Sequence, residues 1–72
     1  MTPQEYRAAI TELRLTQVAA GRFLGVTPRH SRRWVAGDHP IPKSVDLLLR
    51  LMLHFRFFPE EVETYTRINK DG

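Results

Sequence analysis

Between Gln17 and Trp34 the chain signals the end of one helix and the start of another within three residues, and that punctuation limits what it can become. Val18, Ala20, Phe23 and Leu24 supply apolar contacts, and Gly25 follows them at the point where a left-handed C-terminal residue is expected. Thr27-Pro28 then offers an N-cap followed by proline at the first helical position, where a missing N–H costs nothing. Thr16 is the matching N-cap for the earlier segment, and Gly37 stops the later one after Ala36. The spacing therefore predicts two short helices joined by a tight turn, the second from Pro28 to about Ala36. Gly21 costs its helix roughly 1 kcal/mol relative to alanine. Close approach of another helix is the simplest offset.

The flanking segments read as packing for this pair. Thr2-Pro3-Gln4-Glu5 combines an N-cap, a first-turn proline and a capping box, and predicts a helix from Pro3 to Arg14 with Tyr6, Ala9, Ile10 and Leu13 inward. Asp38-His39-Pro40-Ile41-Pro42 is a stiff turn. A fourth helix starts near Pro42 or Ser44, with Val45, Leu48, Leu49, Met52 and Leu53 forming one apolar stripe. Leu47, Leu51, Phe55, Phe57 and Phe58 fall outside that stripe, so either the tail or a second chain is expected to cover them. Pro59-Glu60-Glu61 opens a fifth helix, with Val62, Tyr65 and Ile68 spaced along it. The expected fold is all-α: a compact bundle of about five short helices in one domain over residues 1–72, with its core in 3–55 and a C-terminal helix or tail in 56–72.

A chain of 72 residues makes one domain and buries only roughly 60–65% of its unfolded surface. It has no cysteine, so disulfides and thiolate metal sites are excluded. His30, His39 and His54 do not share a metal-ligand spacing, and neither a metal nor a cofactor is expected. No nucleophile–base pair is recognisable, so the chain is not expected to be an enzyme. Self-association is the remaining source of added stability. Met1–Arg14 lacks the basic start and apolar run of a signal peptide, and Val45–Phe58 is interrupted by Asp46, Arg50, His54 and Arg56. It is also shorter than the ~20 residues of a membrane span. A soluble, cytoplasmic protein with no membrane partner and no small-molecule substrate is expected.

The net charge of +3 is unevenly spread. Residues 1–21 balance, and 57–72 are acidic. The excess lies in 22–56, where Arg22, Arg29, Arg32, Arg33, Lys43, Arg50 and Arg56 meet only Asp38 and Asp46. At about 100° per residue, Ser31 and Trp34 share one side of the third helix, while Arg29, Arg32, Arg33 and Ala36 share the other. Trp34 reads as core. Arginines so close repel one another, and a bound polyanion is the natural counter-charge. Ala36 keeps that face small enough for a groove. His30 lies at the edge of the inner face, where a surface or phosphate-adjacent role fits, and His54 reads as a helix-surface residue.

The ordered set Gln17, Gly21, Gly25, Val26, Thr27-Pro28-Arg29 and Arg33-Trp34 resembles the helix-turn-helix of phage-repressor-type (lambda repressor- and Cro-like) regulators. Gly37 and Pro40-Ile41-Pro42, leading into a leucine-rich helix, are similar to members of the same group, and the resemblance covers about residues 3–55. It implies a DNA-binding domain in which Thr27, Pro28, Arg29 and Arg33 reach base edges. Gln17, Arg32, Lys43 and His30 would then lie at phosphates. It also implies a transcriptional regulator, a repressor of phage or mobile-element type, acting on double-stranded DNA; the apolar excess of the fourth helix and tail adds the expectation of a homodimer through them. Ser31 stands where the family has a buried Val, Ile or Thr, so its hydroxyl is expected to find a backbone carbonyl. Gly21 stands where alanine is usual. Two other functions fit the sequence: an antitoxin that captures a toxin with its apolar Phe55–Phe58 tail, and a protein-interaction module that keeps the fold to read an acidic partner.

Overall fold

Local hydrogen bonding fixes where each helix begins. The computed structural model describes residues 1–69, with side chains through Arg67. In them lie α1 (Pro3–Glu12), α2 (Gln17–Leu24), α3 (Pro28–Ala36), α4 (Lys43–Phe55) and α5 (Pro59–Asn69), and the fold is all-α. The capping box of α1 is complete: Glu5 N–H donates to Thr2 Oγ1 at 3.1 Å, and Thr2 N–H donates to Glu5 Oε1 at 2.8 Å. That Thr2 N–H bond, with Arg50 assisting, holds the Glu5 carboxyl below the usual carboxylate range. Thr16 and Thr27 cap α2 and α3 through Ala19 N–H and His30 N–H. α4 starts after Pro42 without a side-chain cap. Phe58 N–H donates to Glu61 Oε1 at the start of α5.

The ends of α1 to α4 share one solution. A residue with positive φ follows the last turns; its own N–H closes a 5→2 bond and the next residue's N–H a 6→1 bond onto orphan carbonyls. Gly25 (φ 78°) and Gly37 (φ 82°) serve α2 and α3. There Val26 N–H reaches Gly21 C=O at 2.8 Å, and Asp38 N–H reaches Arg33 C=O at 2.9 Å. At α1 and α4 the same position is held by Arg14 (φ 63°) and Arg56 (φ 57°), with Leu15 N–H on Ile10 C=O and Phe57 N–H on Met52 C=O. This corrects the expected extent of the first helix. It stops at Glu12 rather than Arg14, because Arg14 has turned left-handed to close the cap.

α1 is the central element, packing on both α3 and α4, while α2 packs on α3. Tyr6, Ala9, Ile10 and Leu13 from α1 meet Ala20, Trp34, Leu49 and Met52 in one core. Trp34 is 1% exposed, with its ring edge-on to Tyr6 at 5.5 Å and 83°. Ser31 does not bond to a backbone carbonyl as expected. Its Oγ pairs with Tyr6 Oη at 2.7 Å in the buried interior, because α1 presents a phenol there. Burial pushes the Tyr6 phenol above its ordinary range, with the Ser31 bond opposing.

The α4 stripe faces the core as its spacing predicts, with Leu49 and Met52 buried and Val45, Leu48 and Leu53 packed against them. Val18 departs from expectation: it is 42% exposed on the outside of α2. Of the two covers expected for the apolar residues outside the stripe, the tail supplies only part. Phe58 is half-buried, with the Arg14 guanidinium 5.4 Å above its ring, and Val62 packs on the core. Leu47, Leu51, Phe55 and Phe57 stay exposed, and Tyr65 is 70% exposed. The Ile68 side chain lies outside the described residues.

The shared cap makes a paired stability prediction. Arg56→Gly removes a left-handed penalty of roughly 1–2 kcal/mol and adds about 0.5–1 kcal/mol of unfolded-state entropy. The ion pair it loses, to Glu12 at 3.8 Å, is exposed on both sides and weak. Urea unfolding should therefore show a net gain of about 0.5–1 kcal/mol. A Cβ at Gly25 meets nothing within 4 Å, so Gly25→Ala should lose about 1–2 kcal/mol from the backbone alone. Equal effects at the two positions would contradict the cap assignment.

Candidate nucleic-acid interface

Two glycines set the relation of α2 to α3. An added Cβ at Gly21 would lie 3.1 Å from Thr27 O, 3.2 Å from Val26 O and 3.3 Å from Pro28 Cα. The backbone of the turn and the first residue of α3 thus rest directly on α2, and this close approach explains a glycine inside a helix. Gly25 reverses the chain so that Thr27 can cap α3. The inner side of α3 is then fixed by Ser31 and Trp34, and its arginines face away from α1.

The sequence-predicted residues divide into one group and several outliers. Thr27, Arg29, His30 and Arg33 come together around a polar hollow of about 180 Å³. Pro28 is half-buried beside it, and Arg32 is exposed further along the helix. Gln17 is half-buried at the first position of α2, and Lys43 is exposed at the first position of α4; neither lines the hollow. Trp34 is core, although its buried Nε1 has no hydrogen-bond partner. His54 is exposed, with its ring edge-on to Phe55 at 4.7 Å.

Charge is arranged unequally across the molecule. α1, α4 and α5 carry acids in their first turns, whereas α2 and α3 carry none. Their positive N-terminal dipole ends are therefore uncompensated. Elsewhere Arg50 pairs with Asp46 and Glu5, and Arg56 with Glu12. Among the described residues Arg29, Arg32, Arg33 and Lys43 form no ion pair, and neither do Arg7, Arg14, Arg22 and Arg67; the three of α3 are set apart by lying together on one short helix. Planar guanidiniums with free donors beside a helix N-terminus can hold phosphate or the edge of guanine.

One residue at this site escaped the sequence reading. His39, taken only as part of a turn, accepts from Arg33: Nη1 to Nε2 is 2.9 Å. Its ring stacks on His30 at 5.8 Å and 21°, and His30 stands edge-on to Trp34 at 5.1 Å and 75°. The left-handed Gly37 folds the chain back to bring these rings together. A glycine stop followed closely by histidine was the available signal.

Comparison with protein families, curated proteins and solved structures finds no match to this chain. Among the described residues, no group of three or more His, Asp or Glu side chains is placed to hold a metal ion. No helix among them is long and apolar enough to cross a membrane.

Because α3 is oriented through Ser31, the Tyr6–Ser31 bond should be measurable as a coupling. Tyr6→Phe or Ser31→Ala alone leaves one buried hydroxyl without its partner and should cost about 1–3 kcal/mol. The double variant should lose about 1 kcal/mol less than the sum. Additive losses in denaturant unfolding would show that the two hydroxyls are not coupled.

Proposed function

We propose that this chain is a sequence-specific double-stranded DNA-binding protein of the helix-turn-helix, phage-repressor type, and acts as a transcriptional repressor. The observation that carries the proposal is the face of α3. Arg29, Arg32 and Arg33 project from it without an ion pair among the described residues, beside helix starts that carry no acid. A helix roughly 10–12 Å across matches a major groove about 12 Å wide. In this reading Thr27, Pro28, Arg29 and Arg33 meet base edges, with the arginines bidentate to guanine. Gln17, His30, Arg32 and Lys43 meet phosphates on either side and fix the register.

The reading includes a homodimer. Leu47, Leu51 and Phe55 on the outer side of α4, with Phe57 and Tyr65, form an exposed apolar surface of the kind that marks an interface. Two copies joined there would read half-sites about one helical turn apart, ~34 Å. A second function has its own observation. An open groove of about 610 Å³ lined by Phe57, Glu61, Val62, Thr64 and Tyr65 could seat a partner segment, as an antitoxin or interaction module would require.

Selection of bound duplexes from a random pool tests the proposal. A shared motif with two-fold symmetry is expected, with affinity falling steeply as salt rises. Arg29→Ala or Arg33→Ala should lose about 1–3 kcal/mol at one position and relax preference there. Lys43→Ala should weaken all sequences alike and reduce the salt slope by about one. No enrichment, together with salt-independent binding, would reject DNA recognition in favour of a protein partner.

A further inference from the structure

We propose that His39, which lies outside the arginine-bearing helix, is a positioning residue that aims Arg33 and so sets base preference at the place Arg33 reads. The last step rests on the reading of α3 as the DNA-reading helix; the aiming itself does not. A guanidinium can only donate. The 2.9 Å contact from Arg33 Nη1 therefore requires a lone pair on His39 Nε2, which makes the ring neutral with its proton on Nδ1. Neither α3 nor its pattern of arginines supplies this acceptor. It comes from the loop that Gly37 turns back.

The acceptor is itself held. The His39 ring lies nearly parallel to that of His30 (21°), and the His30 ring abuts Trp34 edge-on, which is buried in the core. A continuous run of rings thus leads from the packed interior to the nitrogen that Arg33 touches. One of the guanidinium's five N–H donors is used there, and the remainder of the fork is left beside Thr27, Arg29 and His30 in the polar hollow. Arg29 and Arg32 have no such hydrogen bond among the described residues. Arg33 is also the half-buried one of the three. A long side chain held before binding loses less freedom on binding and discriminates more sharply by direction. The three arginines are therefore not equivalent: Arg33 is pre-aimed, and Arg29 and Arg32 adapt.

The test uses the full chain with His39→Leu, which removes the acceptor, and His39→Gln, whose side-chain oxygen can replace it. His39 is exposed, so both variants should fold. Nitrogen NMR of the free protein should find His39 Nε2 unprotonated and Nδ1 protonated, and Arg33→Ala should release that preference. In duplex selection, His39→Leu should lower preference roughly tenfold at the single position that Arg33→Ala relaxes. The other positions and the salt slope should not change, and His39→Gln should recover most of the loss. A protonated Nε2 that ignores Arg33→Ala would overturn the aiming. Equal loss at every position in His39→Leu, or no recovery in His39→Gln, would overturn the role in preference. Absence of duplex binding by the unsubstituted chain would overturn the DNA reading and the preference with it, while the imidazole spectrum still decides whether His39 holds Arg33.

Discussion

The buried contact of Tyr6 with Ser31 and Trp34 is the constraint on which the arrangement depends. One phenol on α1 makes a 2.7 Å hydrogen bond to Ser31 and an edge contact to Trp34. Ser31 and Trp34 lie about 60° apart around α3, so the two contacts together fix the helix's rotation about its own axis. A hydrogen bond of about 1 kcal/mol and an aromatic pair of about 0.5–1.5 kcal/mol beyond burial are small beside the total core. They are directional, however, whereas apolar packing is not. Turning α3 enough to bury an arginine would break both and leave two hydroxyls unsatisfied. The outward placement of Arg29, Arg32 and the half-buried Arg33 follows from what is locked on the opposite side.

The position of α3 along and across α2 has a different origin. Gly21 lets the turn backbone rest on α2, and Gly25 takes the left-handed conformation that starts the turn. Together they bring the N-terminus of α3, capped by Thr27, to the surface. Neither α2 nor α3 carries an acid there, although the other helices do. The packing and the electrostatics therefore select the same face, which supports an anionic partner more strongly than the net charge of +3 does.

Much of this was legible in the chain because it is encoded by neighbours. Thr16, Thr27, Gly25 and Gly37 act on backbone groups within a few residues, and α2 and α3 begin and end where those residues put them. Arg14 and Arg56 were not legible as caps, since left-handed φ is unfavourable for arginine and the closing 6→1 bonds outweigh that cost only in context. The partner of Ser31 is Tyr6, 25 residues away, beyond the reach of helical periodicity. His39 was hidden for a similar reason, because its partners become visible only once Gly37 has reversed the chain. The apolar excess of the fourth helix was visible, but its cover was not. Phe58 and Val62 pack inward, and Leu47, Leu51 and Phe55 remain outside.

The central claim is that the locked inner side of α3 presents its outer side to DNA. Amide NMR of the labelled chain, titrated with random-sequence duplex at low ionic strength, tests it most directly, because phosphate contacts require no particular operator. The account predicts shifts concentrated at Gln17–Ala19, Thr27–Arg33 and Lys43, which fade as salt is added. Shifts confined to Leu47–Tyr65, or no shift at any duplex concentration, would contradict it.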